Sequence, residues 1–336
     1  MELYILRIKE WDLLRVVACL SVLLLHTTTF NNQAKGATGN SDLVHFLRIL
    51  LCYATPTFIL LSIIILATIY RNQVPGKFWS KRIQFLILPF LFWGIVDAFV
   101  SFYVSENADL SSIIYENIFT GRFVGWFILV ILQLYLLYWC MVKFKWNSII
   151  VLPLAVLLYF LQQQFFALPI EFNYENGRFE KLYGTMWLIY FVAAYLIGVH
   201  YEKIRPVLKK YRFATIIFTA LAALYIWTNF QQGQTDIHSR RMDLVPFVVG
   251  MTSMILAYGQ LLPHFKIVQI ISKYAFMIYL IHWNILNLTV GFYGDAVTSS
   301  PLRILLMFTV TLILSIQTAK ILSYLPFGKW IVGKVR

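Results

Sequence analysis

The stretch "RVVACLSVLLLH", residues 15–26, carries an ionisable residue at each end and none in between. An α-helix turns by about 100° per residue, so eleven steps bring Arg15 and His26 to within about 20° of one helix face. Along the helix axis they are separated by roughly 16 Å. Ionisable groups are costly in lipid, so an apolar helix with one such stripe predicts a membrane span whose polar face looks into a protein interior.

The composition of the whole chain supports this interpretation. Of its 336 residues, 60% are hydrophobic and only 13% are charged, whereas soluble domains have about 25% charged residues. The mean hydropathy is +0.72, and an integral membrane protein is therefore expected. Cys19, Cys52 and Cys140 lie in apolar runs without metal-ligand spacing, which favours packed free thiols and no metal site.

Ten apolar stretches are each long enough to cross the roughly 30 Å hydrocarbon core of a membrane. Their approximate limits are 13–30, 46–70, 83–104, 123–143, 147–168, 184–201, 212–230, 244–263, 268–290 and 302–325. Backbone polar groups in lipid must be hydrogen-bonded within the segment, so these spans are predicted to be helices. We expect an all-α polytopic membrane protein with about ten transmembrane helices in a single domain over residues 1–336.

The distribution of charged residues predicts the orientation in the membrane. With a cytoplasmic amino terminus, the cytoplasmic segments carry most of the basic residues: Arg7, Lys9, Arg71, Lys77, Lys81, Arg82, Lys143, Lys145, Lys203, Arg205, Lys209, Lys210, Arg212, Lys266, Lys273, Lys329, Lys334 and Arg336. The opposite loops carry acidic residues: Asp42, Glu106, Asp109, Glu116, Glu171, Glu175, Glu180, Asp236 and Asp295. This asymmetry places both termini in the cytoplasm. It also explains the net charge of +13 without a nucleic-acid partner.

In this orientation Arg15 lies near the cytoplasmic end of the first span and His26 lies in its outer half. The ninth span also runs outward, and its stretch "AFMIYLIHWNIL" puts His282 at a similar depth. Histidines inside spans indicate a functional, wet interior. Two alternatives remain: Arg15 could extend its charge to the interface, and His282 could share a hydrogen bond with Tyr279, one turn earlier.

In these residues and in the stretches around them, the chain resembles the acyltransferase-3 family of membrane acyltransferases. The opening signature of that family is matched by Asp12, Arg15 and His26 in "WDLLRVVACLSVLLLH". Four further stretches resemble family elements in the same order: "ATPTFILLSIIIL", "SKRIQFLILPFLFW", "GWFILVILQLYLLY" and "ISKYAFMIYLIHWNIL". Ile63 and Phe85 stand where the family pattern usually has a glycine and a second arginine.

Within the family, "YATPTFILLS", "GRFVGWFILVILQLYLL" and the ending "WIVGK" are most similar to the intercellular adhesin protein C branch. Members of that branch take part in poly-N-acetylglucosamine synthesis in Gram-positive bacteria, as proposed O-acyltransferases or as exporters. The resemblance implies a multi-pass protein of a bacterial cell membrane. It also implies acyl-CoA as co-substrate, a cell-surface polysaccharide as acceptor and a possible synthase complex as partner. No extracytoplasmic hydrolase-like domain is expected.

Transfer of an acyl group from a thioester to a sugar hydroxyl needs a base and a stabilised oxyanion. We expect His26 to be the base, because a histidine with an ordinary pKa is largely neutral near pH 7. Arg15 stays protonated and is predicted to assist from the cytoplasmic mouth of a pore. Lys77, Lys81 and Arg82 are candidate partners of the acyl-CoA phosphates, although ordinary positive-inside anchoring would also explain them.

The remaining candidates concern the pore and the outer side. Ser62 is assigned to the acyl-CoA path, with helix packing as the alternative. Trp126, with His282, is a candidate contact for the acceptor sugar, and Trp187 is a similar aromatic candidate; tryptophans of the membrane interface are the alternative for both rings.

A charged cluster precedes the eighth span. Arg240 and Arg241 are candidate substrate-binding residues, and a solvated helix end is the alternative. Asp97 is an isolated acid inside the third span, with Arg48 or Arg82 as possible partners.

Two functions of different classes follow. The first is an enzyme that moves an acetyl or succinyl group from cytoplasmic acyl-CoA to a hydroxyl of a cell-surface glycan. The second is an exporter of the polysaccharide itself, which needs a wide channel lined by many polar residues. The spans contain few polar residues, which favours a narrow slot and therefore the enzyme. A purely structural membrane protein does not explain the stripe of Arg15 and His26.

Overall fold

The computed structural model describes residues 8–34, 41–105, 109–167 and 180–334, without the side chains of residues 166–167 and 294–296. The α-helices are α1 (Lys9–Ala34), α2 (Asp42–Leu51), α3 (Ala54–Ile69), α4 (Phe78–Arg82), α5 (Leu88–Val104), α6 (Leu110–Tyr115), α7 (Phe127–Lys143), α8 (Ser148–Ala167), α9 (Leu188–Val199), α10 (Tyr201–Lys210), α11 (Arg212–Gln231), α12 (Leu244–Gly259), α13 (Lys266–Ala296), α14 (Ser300–Ser323) and α15 (Gly328–Val332). Of the charged residues used for the orientation, Arg7, Glu106, Glu171, Glu175, Arg336 and the side chain of Asp295 lie outside the described part.

Eight spans within the described residues are long and apolar enough to cross a membrane. A ninth arises if the bent pair Gly184–Val199 and Tyr201–Lys210 counts as one span. The stretch predicted at 244–263 forms α12, which has only 16 residues and falls short of that length. The all-α polytopic fold is confirmed, and within the described residues eight or nine spans reach that length, where about ten were expected. The direction in which the chain crosses the membrane stays a prediction.

Helix α1 lies at the centre of the fold, where it packs against α3, α12, α13 and α14. Its contacts with α13 advance in step along both helices. The Arg15 side chain donates to Ser272 Oγ at 2.8 Å, and the Cys19 thiol lies 3.7 Å from the carbonyl oxygen of Ala275. Since later residues of α1 meet later residues of α13, the two helices run in the same direction, as predicted.

Two proline residues account for breaks in the spans. Pro56 lacks a backbone N–H, and α2 and α3 are separated by a turn at Cys52 and Tyr53 just before it. Pro89 similarly follows a π-helical segment at Ile83–Ile87 that joins α4 to α5.

Helices α9 and α10 meet at an angle of 93°. The basic helix α10 is tied to the beginning of α1, where the carboxylate of Glu10 is completely buried. Arg205 Nε donates to Glu10 Oε1 at 2.5 Å, and the Tyr201 hydroxyl donates to the same oxygen at 3.2 Å. These contacts of the buried Glu10 with the more exposed Arg205 and with Tyr201 fix the first helix relative to the perpendicular one.

Candidate functional site

The two predicted histidines meet between α1 and α13. The imidazole rings of His26 and His282 stack with centroids 5.2 Å apart and an interplanar angle of 28°. His282 is 1% exposed, whereas His26 is partly exposed. The similar depth expected from the sequence is therefore confirmed, and the His282 ring lies buried inside the bundle with the His26 ring stacked against it.

The hydrogen bond of His282 identifies its tautomer. Its Nδ1 lies 2.9 Å from the carbonyl oxygen of Ile278, and a carbonyl oxygen can only accept, so Nδ1 carries a proton. In the neutral ring the lone pair then lies on Nε2, which is buried and has no hydrogen-bond partner among the described residues. An unsatisfied acceptor therefore lies directly beside His26.

Aromatic side chains enclose the histidine pair. The Trp283 ring approaches His26 edge-on at 5.0 Å and contacts Phe30 at 4.8 Å. The Tyr279 hydroxyl donates to the backbone carbonyl of Val124, not to His282, so the suggested hydrogen bond between Tyr279 and His282 is not formed. The bond instead ties the turn before α7 to the helix that carries His282.

Arg15 lies at the other end of the α1–α13 interface. Its guanidinium donates to Asp12 Oδ1 at 3.0 Å and to Ser272 Oγ at 2.8 Å, and Ser272 donates to the same carboxylate at 2.6 Å. His264 Nε2 lies 3.6 Å from Asp12 Oδ2. The side chain of Arg15 is 31% exposed. Arg15 and His26 thus share a face of α1 but occupy separate clusters, as predicted.

The other cytoplasmic candidates lie on the surface. Lys77 and Lys81 are exposed, whereas the guanidinium of Arg82 lies 3.9 Å from the ring centroid of Phe78. Ser62 is partly exposed and lies one turn after Phe58, whose ring is 6.4 Å from that of Tyr279.

A shallow pocket near the start of α1 adjoins the Arg15 cluster. It is lined by Lys9, Leu13, Gly259, Leu262, Pro263, His264, Phe265 and Val268.

Within the described residues, no three His, Cys, Asp or Glu side chains form a group that could hold a metal ion.

The two tryptophans of the outer side differ in exposure. Trp187 is completely buried and donates through Nε1 to the carbonyl oxygen of Lys181 at 3.1 Å, so it belongs to the core. Trp126 is partly exposed, with its ring 6.0 Å from that of Trp187 and with Lys181 Nζ 5.0 Å from its own centroid. Only Trp126 therefore presents an aromatic surface that a ligand could reach.

Arg240 and Arg241 have different environments. Arg240 donates to Glu180 Oε2 at 2.6 Å near the surface. Arg241 is buried and makes a bidentate pair with Asp243, at 2.9 and 2.6 Å, besides donating to the carbonyl oxygens of Gln234 and Asp236. The alternative of a solvated helix end is therefore wrong for Arg241, which holds the loop before α12 in place.

The loop before α12 also perturbs two titratable groups. Burial favours the neutral form of Asp243, but hydrogen bonds from Arg241 and Asn229 outweigh it and keep the pKa of Asp243 below its usual value. Burial and the charge of Arg240 lower the pKa of His238. In this loop the charged form of Asp243 is thus favoured, whereas the neutral form of His238 is favoured.

Arg48 of α2 contacts α1 close to His26, and it was not among the predicted site residues. It does not pair with Asp97, which accepts a hydrogen bond from Asn117 at 3.0 Å. Arg48 Nη2 instead donates to Thr29 Oγ1 at 3.0 Å, and Thr29 lies about one turn beyond His26 on α1. The available signal was an arginine inside the apolar stretch "LVHFLRILL", the same kind of signal that singled out Arg15.

Comparisons with known proteins agree with this architecture. A family model described as an acyltransferase domain, that of the acyltransferase-3 family, matches residues 8–320. The Bacillus subtilis protein named "Putative membrane-bound acyltransferase YfiQ" is 31% identical over 350 residues, which cover 98% of this chain and 95% of that protein. No solved structure matches the chain.

Staphylococcal relatives bear a different name. The Staphylococcus aureus (strain MSSA476) protein named "Probable poly-beta-1,6-N-acetyl-D-glucosamine export protein" is 24% identical over 96% of this chain and 94% of its own length. A Staphylococcus epidermidis protein of the same name is 24% identical over 82% of this chain and 80% of its own length. The family match and the 31% relative decide membership: this chain is a multi-pass membrane protein of the acyltransferase-3 family.

Proposed function

We propose that the protein transfers a short acyl group, acetyl or succinyl, from cytoplasmic acyl-CoA to a hydroxyl of a cell-surface polysaccharide in a bacterial plasma membrane. The observation that carries this proposal is the stack of the buried His282 ring on the partly exposed His26 ring. An imidazole inside an otherwise apolar bundle supplies the base that such a reaction needs.

In the proposed reaction His26 accepts the proton of the acceptor hydroxyl. The hydroxyl oxygen then attacks the thioester carbonyl carbon, the C–S bond breaks, and the proton passes to the departing thiolate. His282 lies against the His26 ring and holds its plane by stacking, with Trp283 at the edge. The fixed ring provides the orientation on which proton transfer depends.

The donor is assigned to the cytoplasmic side because the charged phosphates of coenzyme A do not cross lipid. The exposed Lys77 and Lys81, with Arg82, are assigned to those phosphates. Arg15 and the adjoining shallow pocket form the inner mouth, and Ser62 lines the path of the thin thioester arm. The separation of Arg15 from His26 supports two positions along one passage, one where acyl-CoA enters and one where the acyl group is transferred.

The acceptor is assigned to the outer side. Trp126 presents a partly exposed ring that can lie against a sugar face. The bond from Tyr279 to Val124 ties the turn that carries Trp126 to the helix of His282. Arg240 lies near the surface and is assigned to the polymer, whereas the buried pair of Arg241 and Asp243 supports the loop around it. A polysaccharide synthase complex is a partner in this proposal.

Export of the polymer is the second candidate, because the staphylococcal relatives are named as export proteins. A polysaccharide channel needs a wide wall of polar groups. Among the described spans the buried polar groups instead occur in small, separate clusters such as Asp12–Ser272 and Asp97–Asn117. This favours a slot for a thioester arm.

Mass spectrometry of the surface polysaccharide tests the proposal. Cells that lack the protein should export glycan of normal amount without the added acyl mass, and the wild-type gene should restore that mass. Glycan that stays inside the cell with its acylation intact would support export and overturn the transferase proposal.

A further inference from the structure

Arg48 reaches from α2 across to α1. Its Nη2 donates to Thr29 Oγ1 at 3.0 Å, and the Thr29 hydroxyl in turn donates to the carbonyl oxygen of Leu25 at 3.0 Å. Thr29 follows His26 by three residues, which corresponds to about 4.5 Å along the helix axis. The guanidinium is therefore held on the side of His26 that faces away from Arg15.

The Nε–H group of Arg48 is buried and has no hydrogen-bond acceptor among the described residues. Five other arginines pair with carboxylates: Arg15 with Asp12, Arg122 with Glu116, Arg205 with Glu10, Arg240 with Glu180 and Arg241 with Asp243. The buried Arg303 donates instead to Asn31 Oδ1 and to the carbonyl oxygen of Val297. A buried cationic donor without an acceptor is unfavourable unless a ligand provides one. Arg48 thus has an open donor next to the candidate base.

We propose that Arg48 is a further catalytic residue whose Nε–H group donates a hydrogen bond to the oxyanion of the tetrahedral intermediate. This inference rests on the proposed acyl transfer. When the hydroxyl oxygen bonds to the thioester carbonyl carbon, the carbonyl electron pair moves to its oxygen, and His26 takes the hydroxyl proton. Collapse of the intermediate re-forms the C=O bond and breaks the C–S bond, and His26 returns the proton to the thiolate.

The location of Arg48 near His26 favours the oxyanion, rather than the phosphates of acyl-CoA, as the anion that it binds. The oxyanion forms on the carbon attacked by the oxygen that His26 deprotonates, so it must lie within a few ångströms of that ring. The phosphates of acyl-CoA belong at the opposite, Arg15 end. A donor fixed in advance in a region of low dielectric stabilises developing charge far better than a mobile one in water. Thr29 is the positioning residue that fixes it.

Steady-state kinetics of the full-length protein in lipid nanodiscs, with acyl-CoA and a poly-N-acetylglucosamine oligomer, test this role. Arg48→Lys keeps the charge but lacks the Nε–H group, and it should lower kcat by about 10²–10³-fold, the usual effect of losing one oxyanion donor. The KM values for both substrates should stay within twofold. Thr29→Val should lower kcat, whereas Thr29→Ser, which keeps the hydroxyl, should restore it.

Arg122→Ala is the matched control, because it removes an outer arginine whose partner is the carboxylate of Glu116. It should leave kcat unchanged. The oxyanion role is overturned if Arg48→Lys and Thr29→Val both retain kcat, or if their effect appears in the KM for the acceptor with kcat preserved. Both results presuppose an active wild type. A wild type without transfer activity refutes the proposed function instead, so the two failures are distinguishable.

Discussion

His26 and His282 stack 5.2 Å apart, although they belong to the first long helix and to the last but one of the spans. Their meeting depends on the parallel packing of α1 and α13, which also joins Arg15 to Ser272. The site is therefore a property of this helix pair, and substitutions that leave the pair intact should separate chemistry from folding.

We expect His26→Ala to abolish O-acylation of the polysaccharide, because it removes the residue assigned to accept the hydroxyl proton. The abundance of the protein and the amount of exported glycan should stay at wild-type levels. Mass spectrometry of the glycan and immunoblotting measure the two quantities, with the exposed His200→Ala as control. Normal acylation in the His26 variant would refute its role as base.

His282→Phe should lower kcat by at least about 10-fold while the protein remains folded. Phenylalanine preserves the stacked ring but removes the unpaired Nε2 and the Nδ1–H group that binds Ile278. General acid–base groups contribute about 10²–10⁴-fold, so a supporting histidine should have a smaller effect than His26. A variant with full activity would show that only the ring shape matters.

The double variant Lys77→Gln and Lys81→Gln should raise the KM for acyl-CoA more than it lowers kcat. These exposed charges are assigned to binding the nucleotide phosphates, which are equally bound in the ground state and the transition state. Lys320→Gln, an exposed lysine at the end of α14, is the control. An unchanged KM in the double variant would leave Lys77 and Lys81 as membrane anchors.

Arg241→Ala should destabilise the protein by roughly 3–5 kcal/mol, the usual cost of breaking a buried ion pair. Its partner Asp243 would keep a buried charge without the bidentate guanidinium. Arg240→Ala should cost about 1 kcal/mol or less, since its pair with Glu180 is partly exposed. Thermal unfolding of the two variants in the same detergent compares them. Equal losses would contradict the structural role of Arg241.

Gly198→Ala should destabilise the contact between α3 and α9 by about 1–3 kcal/mol. An added Cβ would lie 2.6 Å from the Cβ of Ala67 and 2.8 Å from the carbonyl oxygen of Ile64. Gly291→Ala is the control, because a Cβ there meets no atom within 4 Å. Thermal unfolding measures both, and equal stability of the two variants would mean that the helices separate without cost.

The sequence predicted the helical fold and the similar depth of the two histidines because both depend on local signals, whereas it did not predict that the two rings are in contact. Apolar length identifies a span, and the depth of a residue in its span follows from counting along the chain. His26 and His282 were therefore expected at one level. The count of spans was less predictable, since α12 is short and α9 and α10 meet at 93°.

Partners between distant segments were not predictable from one sequence. The neighbouring Arg240 and Arg241 look alike, yet one is near the surface and the other is buried on Asp243. Trp187 resembled an interface tryptophan but packs completely inside. The role of Arg48 depends on Thr29, which lies on another helix. Such contacts depend on packing angles that spacing does not encode.

The ion pair between Glu10 and Arg205 fixes the position of α1 along its own axis relative to α10, besides joining the two helices. Helix α10 is perpendicular to its neighbouring span, so with a cytoplasmic amino terminus it lies along the inner membrane surface and acts as a reference plane. From Glu10 to His26 the rise is about 24 Å. In bilayers of different thickness, we therefore expect the distance from the inner surface to the histidines to stay constant, so that the difference in thickness falls on the opposite side.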